Sequence, residues 1–251
     1  MIYGVEAQNE EKGAPIVPYA ASGVQFNSAC LTNASISCTD NNVFSFAGWF
    51  KTDWPGNNSG PAFIIDPSGD YNSGYLSYIF NGVEFAIAPP ATSVSGGDLY
   101  SPDINGTTWM HLIGSIDNSS STIVVYVNDV AIVWGVNSFK VGFSGGAFSI
   151  TCNGKPLWIG YDYYNFFTGA MADVSIWPGT SFLTAGDIDV TTRRLFIDAF
   201  GNAVDPSVTV AALGAPVAML AGNSSNFYLN SLGTAGVFTL AAGTLTDVAG
   251  P

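Results

Sequence analysis

Between Thr122 and Trp134 apolar β-branched and aromatic residues alternate around one polar dipeptide, and this pattern constrains the fold more than any other in the chain. Ile123, Val125 and Val127 share one face, Val124 and Tyr126 the other, and Asn128-Asp129 separates them from Val130–Trp134. A period of two is that of a strand, and two residues tolerant of positive φ between such runs predict a hairpin with a primed turn. Upstream, Trp109–Ile116 reads as a third strand, closed by the polar turn 117–121, so the three form an antiparallel meander. Further strands are expected at Val43–Thr52, Ala62–Ile65, Gly74–Phe80, Val83–Ala88, Ala147–Thr151, Leu157–Tyr161 and Met171–Trp177. Clusters of Gly, Pro, Asn, Asp and Ser separate them, including 54–60, 66–70 and 93–98, which read as loops. Many short strands at near-regular spacing mean a two-sheet antiparallel sandwich or jelly roll.

One helix is expected, about Ala185–Arg194, with Thr184 as its N-cap and Arg193-Arg194 at its negative end. Residues 1–20 read as an N-terminal arm, 21–180 as the jelly-roll domain, and 181–251 as the short helix and a small β-rich extension. For 251 residues a single core is the default.

Only 10% of residues are charged, against roughly 25% in an ordinary domain. Six Lys and Arg oppose 19 Asp and Glu, a formal net charge of −13, which repels phosphate backbones and anionic lipid, so nucleic acid is not an expected partner. Hydrophobic residues at 47% exclude intrinsic disorder. The weakly apolar stretch Val208–Ala221 is broken by Gly214 and Pro216 and is too short to insert into a membrane. The start has neither a basic nor an apolar leader region, so synthesis in a cytosol is expected. Cys30, Cys38 and Cys152 have no metal-type spacing, and their odd number predicts three reduced, structural thiols.

Four stretches in order carry a family resemblance: Phe44-Ser-Phe-Ala-Gly-Trp-Phe-Lys51, Trp109-Met-His-Leu-Ile-Gly-Ser-Ile-Asp117, Ile123-Val-Val-Tyr-Val-Asn-Asp-Val130, and Leu157-Trp-Ile-Gly160 leading into Phe167-Thr-Gly-Ala-Met-Ala-Asp-Val-Ser-Ile-Trp177. Together they resemble the laminin-G-like, concanavalin A-like jelly-roll domains over about residues 20–180. The resemblance implies two curved antiparallel sheets with Trp49 and Trp109 buried between them, and Gly160 and Gly169 at tight strand ends. Thr191–Asp198, Val204-Asp-Pro206, Pro216–Leu220 and Gly236–Thr246 resemble the extension that follows such domains in structural proteins of tailed bacteriophages.

Glycosidases of that fold need carboxylates at alternate positions of one strand. The only glutamates are Glu6, Glu10, Glu11 and Glu84, and Glu84 has no carboxylate at i+2 or i+4, so no catalytic residue is assigned. His111, the single histidine, is read as structural, as are Asp117 and Asp173 at turns and strand ends. No cofactor is required; calcium, bound by related domains at a sheet edge, would fall to Asp66, Asp70 and Asp162, against their plainer role as turn residues. Sugars present apolar C–H faces flanked by hydroxyls, which exposed aromatic rings match; Trp54, Tyr71, Tyr75, Tyr161, Tyr163 and Tyr164 are the candidates. The competing role for the 161–167 cluster is closure of the core or of a subunit contact. The expected function is that of a non-enzymatic bacteriophage virion protein adhering to host glycans or to neighbouring capsid or tail subunits, oligomeric in the particle. A bacterial surface carbohydrate-binding module and an atypical depolymerase, with Asp66 and Asp162 converging, are the alternatives.

Overall fold

The computed structural model describes residues 19–39, 42–52, 60–65, 74–79, 82–87, 95–100, 108–117, 119–120, 122–131, 152–161 and 166–251. Among the described residues thirteen strands form: β1 (Ser22–Asn33), β2 (Val43–Thr52), β3 (Gly60–Ile65), β4 (Gly74–Ile79), β5 (Gly82–Ile87), β6 (Ser95–Tyr100), β7 (Met110–Asp117), β8 (Thr122–Val127), β9 (Val130–Ala131), β10 (Leu157–Ile159), β11 (Phe167–Pro178), β12 (Ala218–Leu220) and β13 (Thr239–Ala249). All pairings are antiparallel, and the architecture is the expected jelly roll. β1 joins the two sheets. Its first part pairs β11, which continues through β2, β7, β8 and β9; its last three residues pair β10, which continues through β3, β4, β5 and β6.

The 122–131 hairpin forms as read, with Asn128 and Asp129 at φ 48° and 65°, the conformation a primed turn demands. Residues 95–98, read as loop, instead begin β6. Their partner β5 supplies the backbone hydrogen bonds, which outweighs the weak strand preference of Gly96-Gly97.

Alternation divides the first sheet into two faces. Phe44, Phe46, Phe50, Leu112, Ile116, Met171, Val174 and Ile176 face inward, where they meet Phe26, Leu157, Ile159 and Phe167 in one core. Ala47, Ile113, Tyr126 and Trp177 face outward, yet they are buried too, beneath Phe182, Ile188, Phe196 and Met219 of the C-terminal segment. Trp49 lies on this second face with Ala172, covered by Ile197 and Ala203, so it is buried outside the sheets and not between them. Its parity with Ala47 puts it there. Trp109 is only half-buried and donates its Nε1–H to the Ala249 carbonyl at 3.0 Å, stitching β13 to the domain.

Polar groups pin the cover as well. Ser45 and Ser115 share a hydrogen bond of 2.7 Å beneath it, and both accept from the Phe182 N–H. The C-terminal segment then adds β12 beside β11 and β13 along the whole of β1.

The expected 185–194 helix is shorter. Ala185 and Gly186 adopt positive φ in a turn closed by Thr184 and Asp187, so α1 starts only at Val190 and ends at Arg193. Asp189, and not Thr184, caps it, accepting from the Thr192 N–H at 2.8 Å. A second helix, α2 (Pro206–Leu213), was not expected; Asp205 caps it and Pro206 occupies its first turn, a start signal present in the sequence. Arg193 and Arg194 both pair with Asp129 at 2.6 Å, clamping the tip of the β8–β9 hairpin. Arg194 is the main cause holding the Asp129 carboxyl below its ordinary value.

The cysteine reading is corrected. Cys38 and Cys152 form a disulfide across 114 residues of sequence. Backbone hydrogen bonds of 2.8 Å from Ile36 N–H to the Lys155 carbonyl and from Gly154 N–H to the Ile36 carbonyl bring the two segments together, a proximity that spacing cannot reveal. Cys30 is the free thiol, buried on β1 at the position paired with Ala242 of β13, and burial pushes it up to about 12.

Candidate functional site

With one face of the first sheet covered by the chain itself, the outer face of the second sheet is the surface to build upon. In β10, Leu157 and Ile159 enter the core, so Trp158 stands on the outer face. Gly160 follows at φ 83°, and a Cβ there would sit 2.7 Å from the Ala29 carbonyl oxygen, so only glycine permits this turn. Tyr161 and Phe166 then pair across an isolated bridge, while the Phe167 N–H donates to the Gly160 carbonyl at 2.7 Å. Because Phe167 is buried in the core, Phe166 is left outside. Trp158, Tyr161 and Phe166 stack in series with ring centres 4.9 and 4.8 Å apart. Tyr161 is sandwiched between Trp158 and Phe166, and Phe166, 40% exposed, ends the stack.

The register extends this face. Trp158 is directly opposite Ile64, Ile64 opposite Tyr75, and Tyr75 opposite Ala86. Directly paired residues share a face, so Tyr75 lies in the Trp158 row, about 10 Å away across two strand intervals. By the same parity Ser77, Glu84, Asp98 and Tyr100 belong to this face, with Glu84 directly opposite Asp98. Of the sequence candidates, Tyr161 contacts Trp158 and Phe166, which were not named as candidates, and the backbone register sets Tyr75 at a position on the same face. Strand alternation around the buried Leu157, Ile159 and Phe167 was the signal for them. Trp54, Tyr71, Tyr163 and Tyr164, and the calcium candidates Asp66, Asp70 and Asp162, lie outside the described residues.

A second cluster lies under the C-terminal cover. At Ala172–Ser175 the β11–β2 register shifts, and Asp173, at φ 48°, sits in this bulge, not at a strand end. The bulge puts Asp173 beside Ala172 on the covered face, where it is 8% exposed. One carboxylate oxygen accepts from the Tyr19 hydroxyl at 3.0 Å; the other, Oδ2, is buried without a protein partner. His111, 1% exposed on β7, has its ring 5.1 Å from that of Trp49, and its Nδ1 is likewise unpartnered. Burial pushes Asp173 up to about 7, helped by the charge of Asp205 and opposed by the Tyr19 hydrogen bond. It pushes His111 down to about 3, against the pull of Asp129. Both groups are therefore neutral near pH 5.

The profile of the Concanavalin A-like lectin/glucanases superfamily, in its laminin G form, matches residues 23–189, about two thirds of the chain. The chain belongs to this superfamily. Among solved structures, this concanavalin A-like protein is similar to the native heptameric SAP-like pentraxin of Limulus polyphemus, at 11% identity and a TM-score of 0.51, covering 93% of this chain and 97% of that one. It is also similar to a Bacteroides ovatus protein with an inferred carbohydrate-binding role, at 14% identity and a TM-score of 0.54, covering 93% of this chain and 62% of that one. The concanavalin A-like protein therefore spans less than two thirds of the Bacteroides chain. No curated protein sequence matches it. At these identities the likeness is one of fold. No helix among the described residues is long and apolar enough to cross a membrane.

Proposed function

We propose that this concanavalin A-like protein is a non-enzymatic glycan-binding component of a bacteriophage particle, with the outer face of its second sheet as the binding surface. The observation that carries the reading is the row of Tyr75, Trp158, Tyr161 and Phe166 beside the polar positions Ser77, Glu84 and Asp98. Aromatic faces receive sugar C–H groups and the polar neighbours receive hydroxyls, a division that sites for small polar ligands repeatedly use. The net charge of −13 and the two acids on this face favour neutral over anionic oligosaccharides.

Particle attachment is supported by the tail motifs 191–198, 204–206, 216–220 and 236–246 and by exposed apolar side chains, Phe200, Val130 and Val237 among them, that suit contact with neighbouring subunits. The Cys38–Cys152 bond suits a protein that works in an oxidising medium outside the cell.

A neutral-glycan array is expected to give binding that Trp158→Ala and Phe166→Ala each weaken ~10-fold or more, the loss typical of an anchoring aromatic ring. Unchanged binding in both variants, with melting temperature retained, overturns the site. Recovery of the chain with intact particles is expected, and a stable free monomer associating with no particle component refutes the virion reading. Binding is expected to persist in a calcium chelator; loss restored by calcium would assign a metal to Asp66, Asp70 and Asp162.

The backbone register sets Glu84 directly opposite Asp98, and a pair of carboxyl-bearing residues is what the hydrolase alternative requires. Polysaccharide incubated with the protein is expected to keep its chain length. Shortening that disappears in Glu84→Gln would replace binding by hydrolysis.

A further inference from the structure

The cluster under the C-terminal cover lines a partly open cavity of about 10 Å³ that the glycan-binding reading does not use. Trp49, Phe196, Val204 and Met219 make most of its wall apolar, and His111 of β7, Asp173 of β11 and Thr209 of α2 also line it. Two of those residues are more than nine-tenths buried and each carries a polar atom with no protein partner, His111 Nδ1 and Asp173 Oδ2. Leaving one such atom unsatisfied costs about 1–3 kcal/mol, so two on residues that line a single cavity require an explanation.

We propose that this cavity is a binding site for one water molecule, which bridges Asp173 Oδ2, His111 Nδ1 and Thr209 Oγ1 and so ties α2 to the first sheet. The volume admits one water, and three polar partners are the usual complement of a buried one. The hydrogen-bond directions close. Thr209 already donates its hydroxyl proton to the Leu195 carbonyl at 2.5 Å, which leaves its oxygen as an acceptor. The water donates to Thr209 Oγ1 and to the unprotonated His111 Nδ1, and accepts from a protonated Asp173 carboxyl. Asp173 Oδ1 remains the acceptor for Tyr19.

This assigns His111 to the tautomer protonated at Nε2. It also explains how a carboxyl and an imidazole are accommodated together among aromatic side chains without either being charged.

A crystal structure of the full chain near pH 5 tests the site directly. One ordered water within hydrogen-bond distance of all three atoms is expected, and ¹⁵N shifts of His111 are expected to report the Nε2–H tautomer. Thr209→Val, which keeps the side-chain shape, is expected to retain the fold and lose the water's third bond, shortening its residence as read by water-to-His111 nuclear Overhauser effects. A dry cavity, a direct hydrogen bond between Asp173 and His111, a water bonded to only one of them, or an Nδ1–H tautomer overturns the proposal. None of these readouts depends on whether the protein binds glycan.

Discussion

Replacing Asp173 by Asn stabilises the protein at pH 8 by about 4 kcal/mol and leaves stability at pH 3.5 almost unchanged. The carboxyl ionises near 3.8 in the unfolded chain and at about 7 in the folded one. Between these values the folded state holds a proton that the unfolded state has lost, so the stabilising contribution is complete below pH 3.8 and is lost as pH rises through 7, at about 1.4 kcal/mol per unit. His111 works in the opposite direction. It is neutral in the fold down to about pH 3 but gains a proton near 6.5 when unfolded, so its contribution is complete above 6.5 and is lost as pH falls toward 3.

The two slopes cancel between about pH 4 and 6.5, and urea unfolding of the wild type is expected to be nearly flat there. Asp173→Asn exposes the His111 slope and makes stability climb with pH; His111→Gln exposes the Asp173 slope and makes it fall. The charged and titratable groups facing this pair are Tyr19 and Asp205 for Asp173, and Asp129 for His111. Tyr19 is itself raised, chiefly by burial and then by Asp173, so it stays protonated throughout this range. Asn suits the position because it tolerates the left-handed backbone at residue 173 and can still accept from Tyr19. Equal stability of wild type and Asp173→Asn at pH 8 would refute the buried-carboxyl account.

The second large effect is that of the disulfide. Closing a loop between Cys38 and Cys152, 114 residues apart, removes unfolded-state entropy equivalent to about 4–5 kcal/mol, so the double variant Cys38→Ser/Cys152→Ser is expected to lose most of that stability. Thiol titration is expected to find no reactive group in the native oxidised protein, one after unfolding without reductant, and three after unfolding with it. Three thiols without reductant would show that the bond does not form. Cys30→Ala is the control, since it removes the buried free thiol without touching the cross-link.

Much of the fold was legible because the relevant forces are local. The Asn128-Asp129 turn needs two residues tolerant of positive φ, and both β2 and β8 match their expected ranges because their alternation is uninterrupted. Where expectation and structure part, a distant partner intervened. β6 strands through pairing with β5, α1 is cut short by the 184–187 turn, and Cys38 meets Cys152 because β1 and β10 are neighbours. Periodicity likewise assigns Trp49 and His111 to a face but cannot say that residues 182–219 will cover that face.

The candidate site divides in the same way. Tyr75 and Tyr161 could be nominated because aromatic residues amid Gly, Asn, Asp and Ser are the composition that a sugar's C–H faces and hydroxyls call for. That they share a face with Trp158, that Phe166 ends a stack, and that Glu84 stands opposite Asp98 are matters of register. By itself the sequence determined the all-β class, the meander, the repulsion of polyanions and the family resemblance, since composition and a period of two act residue by residue. Only the tertiary structure decided which carboxyl is buried, which cysteines are joined and which aromatic residues form one surface. Burial and cross-strand contact bring together positions far apart in sequence, Tyr19 and Asp173 154 residues apart and Asn27 and Thr246 219 apart, and no local pattern encodes such a meeting.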